Sequence, residues 1–212
     1  AWVVRLDTEG NLLWERILGG EDATDARSVR RVAGDSLVIV GSWGLPDGSR
    51  DAFLAKFDLD GNQLWHTTLS EVGDNVGYSV AELSDGAYAL GGFSTLVAGR
   101  SMLLAKVGST GVPQWVNHID GGTGEWEGRS IREDYSGGLV LSGITTSYGN
   151  GAEDFYMART DALGYWVSGP SFGTAAGEQC WDMDLVSDGG YVMVGTTWGA
   201  EMNHSSVYVV KN

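Results

Sequence analysis

The side chains best equipped for chemistry in this chain are its carboxylates and its rings, with 28 Asp and Glu and 22 Trp, Tyr and Phe among 212 residues. Trp43, Phe93, Trp126, Tyr148 and Trp198 fall in turn-rich segments beside several of the acids. A ring can cover the apolar face of a sugar while a carboxylate takes its hydroxyls, so these five form a candidate ligand-binding set. The competing reading is packing, with the rings plugging the mouth between neighbouring units of the repeat described below.

Other constellations are thin. Calcium needs six to eight oxygens. Neither Glu21, Asp22 and Asp25 nor the Asp58–Asp60–Gly61 turn supplies a regular donor set, so the first reads as solvated charge and the second as a turn cap. His66, His118 and His204 occupy non-equivalent positions, no HExxH spacing exists, and Cys180 has no evident partner. No catalytic residue, metal site or cofactor is assigned. Asn203-His204-Ser205 is a glycosylation sequon, relevant only to an exported chain.

The formal net charge is −15 and the pI about 4.3. Phosphate backbones and anionic membranes recruit a basic footprint, so nucleic acid is excluded as a partner. One cysteine permits no internal disulfide, and no run approaches the length of a membrane span, so membrane insertion is not expected. The opening residues, Ala1 to Arg5, read as the middle of a strand. That points to a mature, cleaved or excised segment.

The elements that would position these side chains recur. Trp14, Trp65, Trp115 and Trp166 are spaced by 51, 50 and 51 residues, and Ser28, Ser79, Ser130 and Asp182 by 51, 51 and 52. The cations Arg5, Lys56, Lys106, Arg159 and Lys211 keep the same period and read as structural, each making the same contact within its own copy. Each copy holds four apolar runs of strand length. In the second these are 53–57, 64–69, 78–83 and 88–93, separated by turns such as Asp58 to Asn62 and Ser84 to Gly86. Helical periodicity is absent. A lone four-stranded meander exposes too much apolar surface, so the copies must cover one another. In 2–6 and 206–210 both alternating sets are largely apolar, as such double cover requires.

These features predict an all-β fold, a β-propeller of four-stranded antiparallel blades with four repeat copies and one surplus strand. The chain resembles the tryptophan-containing β-propeller repeats of bacterial and archaeal surface and secreted proteins. The resemblance rests on Asp51 to Lys56, Trp65, Gly19-Gly20, Gly121-Gly122, Ser79-Val80, Ser130-Ile131 and Val194 to Thr197. It covers all four copies and implies architecture and a surface or secreted setting, not an activity. A weaker similarity links the Asp, Gly and Trp turns to quinoprotein propellers, without ground for a quinone. Trp166 lies two residues after Gly164 instead of four, a displacement that keeps it on the same strand face. The Asp box of sialidase propellers is not met, because Gly10 to Trp14 and Gly61 to Trp65 are one residue too long.

With strand order borrowed from the quinoproteins, residues 1–212 form one propeller domain or a sector of a larger one. Complete blades fall at about 27–69, 78–119 and 129–169, with a split blade made of 2–18 and 181–211. One strand is then surplus. Either 206–211 completes another molecule's sheet, or, as favoured, the chain is a slice of a larger ring. The long connections emerge on one face and hold 12 of the 28 acids against 3 of the 13 cations. Binding usually resides on such loops. The resulting expectation is a non-enzymatic extracellular or cell-surface scaffold or adhesin, contacting protein or glycan through this acidic, aromatic face. Two rivals stand beside it. A lectin or glycan-active enzyme on the same face predicts a pocket where loop acids and aromatics converge, and a self-assembling subunit predicts a ladder through 206–211.

Overall fold

The computed structural model describes residues 1–19, 23–120, 124–198 and 205–211, so Gly20, Glu21, Asp22, Gly121, Gly122 and the sequon's Asn203 and His204 lie outside the described residues. Every element in them is a β-strand. Strands adjacent in sequence pair antiparallel into five successive sheets. Sheet I holds β1 (Trp2–Leu6) and β2 (Leu12–Ile17). Sheet II holds β3 (Asp25–Val32), β4 (Ser36–Gly44), β5 (Arg50–Asp58) and β6 (Gln63–Leu69). Sheet III follows with β7 (Asn75–Glu82), β8 (Tyr88–Leu96), β9 (Gly99–Val107) and β10 (Pro113–Ile119). Sheet IV has β11 (Trp126–Glu133), β12 (Leu139–Thr145), β13 (Asp154–Thr160), β14 (Trp166–Ser168) and β15 (Ser171–Phe172). Sheet V has β16 (Gly177–Leu185), β17 (Tyr191–Trp198) and β18 (Ser206–Lys211).

The sheets stack face to face, and period-two alternation sends neighbouring residues of one strand into different cores. On β5, Leu54 enters the core shared with sheet III while Phe53 and Ala55 enter the core shared with sheet I. On β9, Leu103 and Ala105 face sheet II whereas Met102 and Leu104 face sheet IV. Strands apolar on both faces are thereby dry on both faces, which explains why these runs do not alternate with polar residues.

A second device joins the sheets. The ring of Trp14 lies 2.8 Å from the point where a Cβ on Gly61 would sit, and its Nε1 donates to the Leu59 carbonyl at 2.7 Å. Trp65 meets Gly111 at the same 2.8 Å and donates to Ser109 O at 3.1 Å. Both glycines have positive φ, +80° and +87°, in the turn that Asp58 caps in the first case by accepting from the N–H groups of Asp60 and Asn62. The period of the Trp is thus the period of a latch in which one copy's indole closes over the next copy's turn. Of the periodic cations, Lys106, Arg159 and Lys211 pair with Asp85, Asp134 and Asp188 in their own sheets. Lys56 instead reaches Tyr88 Oη of the next sheet, and Arg5 the next sheet's Leu59 carbonyl, so the expected uniform contact holds for three of five.

Two features depart from a uniform four-stranded repeat. In sheet IV the outer strand is broken into β14 and β15, both paired to β13, with Gly169 and Pro170 between them. Pro170 has no N–H for a ladder, though its carbonyl still accepts from Met157 N at 3.1 Å. At the ends, 2–18 and 181–211 do not share a sheet. The ladder of β1 is to β2 and that of β18 is to β17, and no closed ring forms among the described residues.

Candidate functional site

Three copies place Trp opposite the periodic cation, as in Arg5↔Trp14, Lys56↔Trp65 and Lys106↔Trp115. The fourth does not. Arg159 faces Ser168, and Trp166 pairs with Thr160 two residues earlier. The two-residue displacement read from the sequence therefore does not preserve packing. Trp166 is 55% exposed, and its Nε1 donates to Tyr156 Oη at 3.2 Å instead of to a neighbouring sheet's turn.

That displaced indole forms one wall of a cavity of about 500 Å³ between sheets III and IV. The cavity is lined by His118, Ile119 and Asp120 from the end of β10, Trp126 at the start of β11, Tyr148 between β12 and β13, Tyr156 on β13, and Trp166 and Gly169 around the strand break. Trp126 is buried and meets Tyr148 and Tyr156 edge-on, with ring centroids 5.4 and 4.7 Å away. Burial pushes the Tyr156 phenol above its usual pKa, against the hydrogen bond from Trp166, so it remains protonated at neutral pH. A side chain on Gly169 would fall 1.8 Å from Tyr156 Oη. Only glycine lets the hydroxyl occupy that place.

Of the five rings expected to bind, the structure brings Trp126 and Tyr148 together here. Trp43 packs on Phe53 and His66 at 5.9 and 4.5 Å in the core between sheets I and II. Phe93 is buried under the Arg100 guanidinium, 4.5 Å from its centroid. Trp198 lies over Gly177 at the start of sheet V. His118, Asp120, Tyr156, Trp166 and Gly169 were missed. The displaced Trp and the Gly169-Pro170 pair were the visible signals of a local break.

A carboxylate pair also converges on this side of the molecule. Asp154 Oδ1 and Glu178 Oε2 lie 1.9 and 2.6 Å from the position of a Cβ on Gly173. Both are sealed from solvent, at 1% and 0% exposure. Burial pushes Glu178 up, but hydrogen bonds from Thr174 Oγ1, Thr174 N and Thr197 Oγ1 outweigh it and hold the pKa below the usual glutamate value. Glu178 thus serves as an ionised internal acceptor that ties the 173–177 loop to β17. No group of three or more His, Cys, Asp or Glu side chains is arranged to hold a metal among the described residues.

No protein-family model and no curated protein matches the chain. Solved structures do share its β-propeller-type fold. An α-L-arabinofuranosidase from Clostridium thermocellum aligns with 89% of this chain and 68% of its own, at a TM-score of 0.51 and 12% identity. A thermostable family-43 glycoside hydrolase aligns with 86% and 69%, at a TM-score of 0.53 and 11% identity. At such identities the likeness is one of fold, and the match gives no support to the tryptophan-repeat family in particular. The expectation of a non-enzymatic scaffold or adhesin finds no support in these matches, since both of the solved structures described are glycoside hydrolases, the class named in the carbohydrate alternative.

Proposed function

We propose that this chain is the carbohydrate-contacting part of a glycan-active protein and that the cavity between sheets III and IV is a sugar subsite. The observation that carries this reading is the convergence of Trp126, Tyr148, Tyr156 and Trp166 on one cavity with His118 and Asp120 at its edge. Exposed rings at Tyr148 and Trp166 offer stacking surface, and the polar groups offer orientation. Its volume is in the range that receives small ligands, roughly 300–1,000 Å³. Cleavage of a glycosidic bond uses two carboxyl groups flanking it. Asp120 is the one acid among the described residues that line the cavity, so a second carboxyl group for cleavage would have to come from outside this lining. An extracellular or cell-surface setting, where polymeric glycans are met, belongs to the same proposal.

The test is calorimetric titration with neutral plant and bacterial oligosaccharides. Trp166→Ala and Tyr148→Ala should each weaken binding about tenfold, equivalent to about 1.4 kcal/mol. Trp43→Ala and Trp198→Ala, outside the cavity, should leave it within about twofold. Equal losses from all four variants would remove the cavity from consideration.

A further inference from the structure

The cavity contains a histidine whose tautomer is dictated by groups buried behind it. Asn75 Nδ2 donates to the carbonyls of Glu71 and Gly73, both at 3.0 Å, which fixes the orientation of the amide. Its Oδ1 therefore faces Ser94 and accepts the hydroxyl proton at 2.6 Å. A serine hydroxyl has one proton, and that proton is now committed. Ser94 Oγ can meet His118 Nε2, 3.1 Å away, only as an acceptor. Nε2 must carry a hydrogen, and in the neutral ring Nδ1 is left with the lone pair. Asn75 and Ser94 are fully buried, so water cannot substitute for either partner.

We infer that the Asn75–Ser94–His118 chain presents His118 Nδ1 to the cavity as an acceptor for a sugar hydroxyl, and that the acidic surroundings of the cavity restrict the sugars that donate there to neutral ones. This rests on the carbohydrate reading and adds a direction to it. The carboxylate of Asp120 on the same rim, within loops that carry 12 acids against 3 cations, disfavours a uronic acid. Ser94 acts through His118 and is a positioning residue. The repeat supplies its conservative replacement, because Ser42, Ser94, Thr145 and Thr197 occupy the same place in four copies, at spacings of 52, 51 and 52.

The experiment is long-range proton–nitrogen NMR of the imidazole in the intact chain, with and without methyl glycosides of arabinose, xylose, galactose and glucuronic acid. In the free protein His118 should show a protonated Nε2 and a bare Nδ1. At least one neutral glycoside should shift Nδ1 and leave Nε2 in place, while the glucuronide should not. Ser94→Ala should give a mixture of tautomers and weaken binding about five- to tenfold, the worth of one neutral hydrogen bond. Ser94→Thr should restore both and serves as the folding control. A protonated Nδ1 in the free protein would overturn the inference. So would a neutral glycoside that shifts the Trp166 and Tyr148 resonances without moving Nδ1, and that result would leave the carbohydrate reading standing. If none of these glycosides shifts any ring of the cavity, the carbohydrate reading falls and takes this inference with it.

Discussion

Gly169 shows how much one missing side chain can decide. With Tyr156 Oη 1.8 Å from its virtual Cβ, Gly169→Ala must displace either the phenol or the β14–β15 break. Sugar affinity should fall at least as far as in Trp166→Ala, with a stability loss of about 1–3 kcal/mol typical of overpacking, read by titration and by denaturant unfolding. Acid sensitivity also belongs to single residues. Burial pushes Asp134 upward, but hydrogen bonds from Ser136, Gly138 and Arg159 prevail and its pKa is lowered, as is that of Glu178. A carboxylate with a lowered folded pKa stabilises the protein fully above its unfolded value and loses that contribution as pH falls through the folded one. The unfolding free energy should therefore drop below about pH 4, and the drop should shrink in Glu178→Gln relative to wild type. Cys180 points the other way. Burial pushes its thiol up to about 11, so alkylating reagents should modify it only after unfolding.

At the scale of the element, the repeated Trp was legible as a periodic residue, but its partner was not. The latch of Trp65 over Gly111 couples sheet II to sheet III through a contact 46 residues apart in sequence. Trp65→Ala should cost about 2 kcal/mol, less than the roughly 3–5 kcal/mol of a fully buried ring because it is half-buried. Gly111→Ala should be destabilising through both the ring clash and its φ of +87°. Gly137→Ala has a φ of +80° and open space around it, so it isolates the backbone share, about 1 kcal/mol. The double variant Trp65→Ala with Gly111→Ala should be clearly less destabilised than the sum of the two. Additivity in that cycle would show that the latch does not exist.

At the scale of the molecule, four side chains that attracted no interest in the sequence form a ladder across the first strands of sheets II to V. Each sits at the β-bulge immediately before the periodic Ser28, Ser79, Ser130 or Asp182. Arg27 lies over the Tyr78 ring at 4.7 Å, Arg129 over the same ring at 4.3 Å, and Arg129 also over Trp181 at 5.3 Å. A bulge leaves one residue out of the pairing register and re-aims its side chain, so the repeat delivers one such group per sheet to the same level. Arg129 is additionally the partner of Glu127, which is 4% exposed and also meets Arg100. Arg129→Met should cost about 3 kcal/mol, since it breaks a largely buried ion pair as well as two ring contacts. Arg27→Met, at the outer end of the ladder, should cost less than about 1 kcal/mol. Chemical denaturation of the two variants separates these values, and equal effects would deny the ladder its central rung.

Periodicity of large apolar residues, turn glycines and capping aspartates was enough to establish an all-β array, because each of those signals acts over a few residues and repeats. The loop face and its store of rings and acids were legible for the same reason. The cavity was not, because it depends on where a broken strand leaves Trp166 and on which neighbouring sheet supplies His118. Register slips, bulge directions and buried hydrogen-bond chains are settled by contacts between copies some fifty residues apart. Spacing within a copy carries no information about them, so tertiary structure alone decided that Trp126 and Tyr148 line one cavity while Trp43, Phe93 and Trp198 pack elsewhere.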